Sequence, residues 1–455
     1  MRRFALMLFA GVPSLLASQG FGVYEHGTCT MGRAGVAAAA PCADGSAIFF
    51  NPAGLAGLSG RRLSAGVTFI QALGSFAQDI SATRTDIDNP LIPVPNFYFT
   101  HALSPKATIG LGAYAPYGLE TRWPETFDGR FLGYNTNLRS VYVQPTIGYQ
   151  LHERLKVGLG VAVIYSWLEL NQRVDLSDQG VPGLPGATFY NLGIPWGTDV
   201  ADGRLTGSGT GFAVNVGAIL KVTDRMSIGG HWITRKTITY EGDAEFSQIL
   251  TGQVLPLGHP IDLPPICTLT APCPVDALAG AQFLPGQAFA NGGATAELTL
   301  PPQGSLGIAY QASDKLNLMA DWHYVVWGWF DQIPVDFENP GTPDFALYEG
   351  YRDTHGFRFG AEYQYSPKYT LRAGYLYHGA AAPPETVTPL LPEGSRNEFT
   401  IGLGAALSPS LHADFGYQFI KQNDRRGRIH EATVGNTGVY EFSAHLVGVG
   451  FSYTF

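Results

Sequence analysis

Six short polar turns recur along most of the chain, and each of them lies between two segments that have strand character. Turns of this brevity join adjacent antiparallel strands. The segments between successive turns are long and rich in Gly, Pro, Asn and Asp. Short turns at one end and long loops at the other end are typical of outer-membrane barrels. The six turns are residues 103–106, 151–154, 222–225, 312–315, 365–368 and 407–410.

These turns predict fourteen strands, because they join six pairs and leave one strand before the first pair and one after the last. Bacterial barrels need an even number of strands. We therefore predict an all-β fold, a fourteen-stranded antiparallel transmembrane β-barrel. The predicted strands are residues 61–77, 94–103, 107–116, 138–151, 155–171, 209–222, 225–240, 296–311, 315–330, 353–365, 368–378, 396–407, 410–421 and 439–455.

Apolar and polar residues alternate within the strands, as expected where side chains point to opposite faces with period two. In a membrane barrel the apolar face contacts lipid and the polar face lines the lumen. A β-sandwich also alternates, with its apolar face inside. In the seventh strand, we predict that His231, Arg235 and Thr239 face the lumen. The clearest apolar sets are Val447, Val449, Phe451, Tyr453 and Phe455; Leu411, Ala413, Phe415, Tyr417 and Phe419; Phe357, Phe359, Ala361, Tyr363 and Tyr365; and Ile228, Trp232 and Ile238.

Composition favours a membrane barrel over a secreted sandwich or propeller. Charged residues form 14% of the chain, whereas soluble domains carry about 25%. No segment after residue 20 approaches the ~20 consecutive apolar residues that a membrane helix needs. The net charge of −9 gives no reason to expect nucleic acid as a partner.

The first twenty residues have the order of a secretory signal peptide. Arg2 and Arg3 are followed by an apolar run from Phe4 to Leu16 and then by small residues. That run is too short to span a bilayer. We predict a signal peptide over residues 1–20, cleaved between residues 17 and 21, and a mature protein in the bacterial outer membrane.

Residues 21–60 differ from the strands, because they are rich in Ala and Gly and do not alternate. A fourteen-stranded barrel has room for such a segment, and a wide lumen would leak without one. We predict that this segment, called the hatch below, plugs the lumen; a periplasmic tail is the alternative. The barrel then covers residues 61–455, with long extracellular loops at about residues 172–208 and 246–295.

Several blocks of sequence resemble the FadL/TodX family of outer-membrane transporters for long-chain fatty acids and aromatic hydrocarbons. The blocks occur in the family's order from the hatch towards the C-terminus, so the resemblance covers nearly the whole mature chain. The blocks are Gly20-Phe21, Gly32-Arg33-Ala34, Asp44, Asn51-Pro52-Ala53, Gly110–Leu119, Thr121–Pro124, Gly129–Phe131, Glu241–Ala244, Leu298–Pro301, Ser305–Gly307 and Trp329–Asp331.

The resemblance implies an uptake channel for hydrophobic small molecules, with no open water channel. Ligand would be captured among the extracellular loops and pass to a hydrophobic pocket in the barrel. Movement of the hatch would then release it sideways, through a gap beside a kinked third strand. The choice between fatty acids and aromatic hydrocarbons stays open. The hatch residues that match the family are Phe21, Val23, Asn51, Pro52 and Ala53.

The third strand can also be interpreted from its residues. It contains Gly110, Gly112, Pro116 and Gly118. Proline lacks the N–H that a ladder needs, and glycine weakens a strand or marks a bend. We predict a lateral gap at these four residues; the alternative is that Pro116 merely ends the strand.

Both long loops carry apolar residues, which are a liability when exposed unless they pack together or bind an apolar ligand. Phe189, Tyr190, Trp196, Leu255 and Phe283 are the candidate residues for ligand capture. Mutual packing of the two loops for stability is the alternative.

A fatty-acid carboxylate in an apolar pocket needs a cationic or hydrogen-bonding partner, because an unpaired buried charge is costly. The candidates predicted to face the lumen are His231, Arg235, Arg358 and Arg372. The alternative is that most of the inward charges are wetted lumen residues or partners of Asp321, Glu362 and Asp414.

A general porin, an adhesin or receptor, and a hydrolase are the alternative functions. A general porin would lack a hatch, and an adhesin or receptor role would depend on the loops. A hydrolase would need a nucleophile motif beside the pairs Asp321-x-His323 or His412-x-Asp414, and none accompanies them. We expect no enzyme activity, no cofactor and no metal. The expected partners are the hydrophobic ligand, outer-membrane lipid and lipopolysaccharide, with the chain a monomer.

The C-terminal residue gives one further partner. Phe455 ends an alternating aromatic strand. We expect the barrel-assembly machinery to recognise this strand by pairing during insertion. The alternative is that the strand simply closes the barrel.

The four cysteines fall into two close pairs, Cys29 with Cys42 and Cys267 with Cys273. Exported proteins meet an oxidising compartment, so we predict two local disulfides with Cα separations of about 4.4–6.8 Å. Peptide mapping without reductant should recover both cross-linked pairs. Four free thiols in the mature protein would contradict this prediction.

Overall fold

Strand pairing closes the sheet into a barrel, because the first strand pairs with both the second and the last, with Arg62 opposite Thr454. The computed structural model describes residues 20–79, 81–427 and 437–455. The predicted signal peptide therefore lies, up to residue 19, outside the described residues. In the part described, fourteen antiparallel strands surround a lumen, and five of them consist of two segments.

The strands are numbered along the barrel, and their order in space follows the chain. They are β1 Arg61–Gln78, β2 Ile92–Ala102, β3 Ala107–Tyr114 and Gly118–Arg122, β4 Asn135–His152, β5 Leu155–Asp175, β6 Asp199–Lys221, β7 Met226–Ile233 and Lys236–Gln248, β8 Gly292–Leu300 and Gln303–Gln311, β9 Leu316–Val325 and Gln332–Phe337, β10 Phe345–Tyr348 and Thr354–Gln364, β11 Tyr369–His378, β12 Arg396–Ala406, β13 Leu411–Gln422 and β14 Gly438–Thr454.

Shorter elements lie outside these ladders. Arg84–Asp86 pairs with the end of β1, and Arg425–Gly427 pairs with the start of β14. None of the helices in the described ranges is long and apolar enough to cross a membrane. The helices are α1 Thr28–Met31, α2 Ala47–Phe50 and α3 Val275–Gly280, with 3-10 turns at Pro52–Leu55, Phe189–Leu192, Ala281–Phe283, Trp327–Trp329 and Pro384–Thr386.

The apolar face of the sheet is the outer one. Phe359 is 52% exposed, whereas its neighbour Arg358 is 1% exposed and points into the lumen. Phe415, Phe451 and Tyr453 are exposed in the same way. This arrangement distinguishes a membrane barrel from a sandwich and confirms the predicted fold class.

The predicted orientation of the side chains is wrong in the second half of β7. Ile238 is fully buried, and Arg235 and Thr239 lie on the outer side. The cause is a break at residues 234–235, across which the pairing of β7 with β6 shifts by one residue. A one-residue shift moves every following side chain to the opposite face.

Both long loops are shorter than predicted, because the four strands that flank them extend further into the predicted loop segments. The connections are residues 176–198 and 249–291. Charged residues in and beside the added strand segments form cross-strand ion pairs. Arg204 of β6 lies 3.1 Å from Glu169 of β5 and 3.6 Å from Glu245 of β7. Opposite charges on adjacent strands stabilise a ladder.

The hatch packs inside the barrel against rows of wall glycines. Gly148, Gly158 and Gly217 lie directly opposite one another on β4, β5 and β6. A Cβ atom at Gly158 would lie 2.2 Å from the Pro52 carbonyl carbon, and one at Gly217 would lie 2.1 Å from Asn51 Oδ1. Glycine marks close approach of another backbone to a strand. A second row lies on β12 to β14, at Gly402, Gly416 and Gly448.

Polar contacts fix the same segment to the wall. Asn51 donates from Nδ2 to the carbonyls of Ala218 and Gly230, at 3.1 and 3.2 Å. Asp321 of β9 accepts hydrogen bonds from the amides of Ala37 and Ala38, at 2.9 and 3.0 Å. The hatch backbone, which forms few ladder bonds of its own, is satisfied by strand residues.

Both predicted disulfides are formed. Cys29 and Cys42 join two parts of the hatch, with Cα atoms 6.3 Å apart. Cys267 and Cys273 close a short turn in the second long loop, with Cα atoms 5.0 Å apart.

The glycine rows give a test of hatch packing. Gly158→Val should displace Pro52 and destabilise the seated hatch by about 1–3 kcal/mol, the usual cost of overpacking. Single-channel conductance in planar bilayers should rise in this variant. Gly180→Val is the matched control, because a Cβ at Gly180 meets nothing within 4 Å. Equal conductance in both variants would contradict close packing of the hatch at Gly158.

Candidate functional site

The third strand is interrupted where its sequence contains Ala115-Pro116-Tyr117. Tyr114 pairs with Tyr142 of β4, and after the interruption Gly118 pairs with Arg139. The register shifts by one residue, so β3 has one residue more than β4 at this point. Such a bulge bends the strand and reverses its alternation. Tyr114 and Tyr117 consequently both point inwards and are buried.

Beyond the bulge, β2 and β3 no longer pair. Their ladder ends at Phe97 opposite Ala113, although β2 continues to pair with β1 as far as Ile92. The next backbone hydrogen bond between the two sides lies outside β2, where the Asp88 amide donates to the carbonyl of Arg122 at the end of β3, at 2.7 Å. Between these two levels the wall has a lateral gap.

The edge of β2 at the gap lacks two hydrogen-bond donors. Ala102 donates its N–H towards β1, to the Gly60 carbonyl, and Leu103 donates towards β3, to the Ala107 carbonyl. Donor direction alternates along an antiparallel strand, and no bulge interrupts the β1–β2 ladder. Pro93 and Pro95 therefore direct their nitrogens towards the gap, and proline has no N–H to leave unsatisfied there.

The first residues of the hatch bind the interrupted strand from inside. Val23 donates its N–H to the Pro116 carbonyl at 2.9 Å, and Gly118 donates to the Phe21 carbonyl at 3.2 Å. The Phe21 ring packs against Trp327, with ring centroids 5.2 Å apart. The N-terminal part of the hatch thus replaces some of the bonds that β3 loses at its bulge.

A cavity of approximately 480 Å³ lies at the gap. Phe21 and Val23 line its luminal side, whereas Val141 and Trp167, which are exposed on the outer face, line its other side. Pro95 of β2 also lines it. Because residues of both faces bound one cavity, it passes through the wall.

The luminal end of this cavity contains charged side chains. Glu398 of β12 lies 3.1 Å from Arg396 Nε, and Glu25 accepts a hydrogen bond from Gln418 at 3.0 Å. Glu393, in the loop before β12, accepts from the amides of Ala381 and Ala382. Burial raises the pKa of Glu393 to about 7. This end of the cavity is polar and rich in carboxylates.

The four predicted gap residues divide into two pairs. Pro116 and Gly118 lie at the interruption, and Gly118 lines the cavity. Gly110 and Gly112 do not lie at the gap, because both are within the paired part of β3. A Cβ at either would meet Ile48 of the hatch, at 2.8 or 3.0 Å. These glycines accommodate the hatch.

Among the predicted hatch residues, Phe21 and Val23 are at the cavity, whereas Asn51, Pro52 and Ala53 lie away from it, against β5 and β6. The two groups therefore belong to different contacts. The first contacts the gap, and the second holds the hatch in place.

None of the four predicted carboxylate partners lines the cavity. Arg235 lies outside, 4.0 Å from the ring centre of Trp329, because of the register shift in β7. Arg358 lies 4.6 Å from the Tyr24 ring and donates to the Gly35 carbonyl. His231 of β7 faces the lumen opposite Gly217 of β6.

The fourth candidate, Arg372, is held by two strand carboxylates. Its guanidinium lies 2.7 Å from Glu362 and 2.6 Å from Asp414. Arg33 of the hatch lies 3.8 Å from the same Glu362. The pairing of inward charges expected from the sequence is thus found here, and Arg372 has no free positive charge to offer a ligand.

The candidate capture residues are divided between a loop core and its surface. Phe189 and Leu255 are buried in an apolar cluster that joins both long loops, and Cys267 and Cys273 belong to it. Phe283 packs on this cluster. Tyr190 and Trp196 are 51% and 48% exposed, with ring centroids 5.3 Å apart. Mutual packing of the loops accounts for the first three residues.

Sequence reasoning missed Glu25, Glu393 and Arg396 at the cavity, and it missed the role of Pro93 and Pro95. A signal for the prolines was present, since two prolines spaced by one residue disable one edge of a strand. Glu393 had no such signal, because it lies in a loop whose path the sequence does not define.

A closed barrel whose lumen is filled and whose wall has a lateral cavity defines a transport barrel of the outer membrane. A model of the family described as "Outer membrane protein transport protein (OMPP1/FadL/TodX)" matches residues 10–455. The chain therefore belongs to the FadL/TodX family, and it is an outer-membrane protein.

Named relatives and solved structures agree with this assignment. The long-chain fatty acid transport protein of Salmonella typhi is 24% identical over 452 residues, which cover 96% of this chain and 94% of that protein. A Pseudomonas aeruginosa FadL homologue superposes with a TM-score of 0.79 at 20% identity, over 96% of this chain and 100% of that one. The Pseudomonas putida toluene transporter TodX superposes with a TM-score of 0.69 at 17% identity, over 96% and 100%. At these identities the solved structures support the fold alone.

The bond between Val23 and Pro116 gives a test of how the hatch binds the gap. Val23→Pro removes the donating N–H and should weaken this contact by about 1–3 kcal/mol, because the Pro116 carbonyl loses its partner. Hydrogen exchange of the amides at residues 20–27, measured by mass spectrometry, should become at least tenfold faster. Val23→Ala is the control, since it keeps the N–H. Equal exchange in the two variants would contradict the contact.

Proposed function

We propose that this protein takes up hydrophobic small molecules and releases them sideways through the gap at β3. The observation that carries the proposal is the cavity that is bounded by Phe21 and Val23 inside and by Val141 and Trp167 outside. A molecule in that cavity contacts the lumen and the lipid-facing surface at once. It can leave the barrel without crossing water.

The energetic reason is the cost of hydrating an apolar ligand. Each re-exposed CH₂ group costs about 0.8 kcal/mol, so release of a long chain into water is opposed by many such terms. Lateral release into the bilayer avoids that cost. The gap itself is made less costly by the two prolines of β2 and by the hatch bonds to β3.

The relatives suggest two ligand classes. The Salmonella typhi relative is named for long-chain fatty acids, and the Pseudomonas putida structure is a toluene transporter. We propose that a ligand of this protein needs a largely apolar structure, which both classes share. We further propose capture at the long loops, where Tyr190 and Trp196 are exposed, followed by movement of the hatch that admits ligand to the cavity.

A general porin is the second candidate from the same membrane. The hatch speaks against it, because wall glycines, Asn51 and Asp321 all hold residues 34–53 across the lumen. We expect no enzyme activity, since Asp321 is engaged by the hatch amides.

We also propose a monomer that contacts outer-membrane lipid and lipopolysaccharide and is inserted by the barrel-assembly machinery.

Filling the gap tests lateral release. The double variant Ala115→Trp, Gly118→Leu should place bulk in the opening, where a Cβ at Gly118 has no neighbour closer than 3.6 Å. Uptake of labelled dodecanoate and labelled toluene by cells that lack other such channels should fall at least tenfold, because the path to lipid is blocked.

The control for that experiment is Leu306→Trp, which adds bulk to an exposed, lipid-facing position of β8 away from the gap. Heat-dependent gel migration establishes that both variants are folded. Normal uptake of both compounds by the folded double variant would exclude lateral release at this site.

A further inference from the structure

The charged side chains that line the cavity are four glutamates and two arginines, namely Glu25, Glu120, Glu393, Glu398, Arg139 and Arg396. Both arginines are already engaged by glutamates. Arg139 lies 3.4 Å from Glu120, and Arg396 lies 3.1 Å from Glu398. Within the described residues, each arginine of the lining is therefore charge-paired with a glutamate, although Arg396 Nε itself forms no hydrogen bond, and two glutamates remain.

Glu393 is the more available of these two. Its side chain is buried, with the residue only 3% exposed. Oε2 accepts the amides of Ala381 and Ala382, at 3.0 and 3.1 Å. Oε1 has no hydrogen-bond partner among the described residues. A buried carboxylate oxygen without a partner is costly, and a ligand that donates a hydrogen bond would satisfy it.

Glu25 is less available, because both of its carboxylate oxygens are already bonded. Oε2 accepts the Tyr24 amide at 2.9 Å, and Oε1 accepts Gln418 Nε2 at 3.0 Å. Arg425 donates to the carbonyl of Ala382, whose amide binds Glu393. Its guanidinium is not part of the cavity lining.

We propose that this cavity selects apolar ligands whose polar end is a hydrogen-bond donor, such as an alcohol or phenol hydroxyl, and that Glu393 accepts that bond. The proposal rests on the proposed uptake function and specifies its ligand class. An ionised carboxylate would meet a buried glutamate without a free cation to offset the repulsion, whereas a hydroxyl would form a charge-assisted hydrogen bond with it. The rest of the lining, including Leu138, Leu391 and Leu446, would contact the apolar body.

The experiment compares two probes of equal chain length, 1-decanol and decanoate, on the full-length purified protein at pH 8.5. Binding is followed by tryptophan fluorescence, since Trp167 lines the cavity, and is checked by native mass spectrometry. We expect decanol to bind at least tenfold more tightly than decanoate. Glu393→Gln keeps an acceptor for the two backbone amides and removes the charge, so the preference should fall to threefold or less.

Glu385→Gln is the matched control, because Glu385 is exposed and lies in the same loop. It should keep the preference of the unmodified protein. Decanoate binding as tight as decanol, or a preference that Glu393→Gln leaves unchanged, would overturn the proposal while the uptake function stands. A second outcome would overturn both proposals. If neither decanol nor decanoate binds, and the variant Ala115→Trp, Gly118→Leu takes up labelled dodecanoate and toluene normally, the cavity is not a ligand site.

Discussion

Satisfaction of backbone hydrogen bonds in the barrel wall is the constraint on which the rest of this structure depends. In hydrocarbon each backbone N–H or C=O group without a hydrogen-bond partner costs several kcal/mol. A gap in a ladder is therefore tolerated only where such groups are removed or find other partners. Here Pro93 and Pro95 remove two donors from the β2 edge, and Val23 and Gly118 form bonds between the hatch and β3. The carbonyls of the β2 edge remain, and a carbonyl is more readily left without a partner than an N–H.

The same requirement explains the glycine rows. The described part of the hatch contains only single-turn helices, so much of its backbone must come within bonding distance of the wall. Only wall residues without side chains at that level allow this approach. Glycine in a strand costs roughly 0.5–1 kcal/mol relative to alanine. Contacts such as Asn51 to Ala218 and Asp321 to Ala37 offset that cost. The abundance of glycine in the sequence therefore reflects close packing in the lumen as well as turns.

The sequence was sufficient to predict the barrel, its strand number and the hatch, because short turns and period-two alternation are local signals. The sequence-based prediction was wrong where the structure depends on contacts between residues that are distant in sequence. The one-residue shift in β7 places Arg235 on the outer face. Ion pairs such as that of Arg204 with Glu169 stabilise strand structure where the sequence predicted a loop. At the site, Pro116 and Gly118 were predicted, whereas Glu393 was not, because a loop fold brings it to the cavity.

One segment contacts both features on which transport would depend. Residues 21–23 are bonded to the interrupted β3, and the chain continues without a break into the part of the hatch that fills the lumen. A displacement of the hatch that pulls on this segment must break the bond from Val23 to Pro116, which widens the cavity on its luminal side. Under the proposed function, opening towards the lumen and opening at the gap are therefore coupled by covalent continuity and two hydrogen bonds. Coupling of this kind needs no long-range pathway through the wall, because the moving element itself lines the exit.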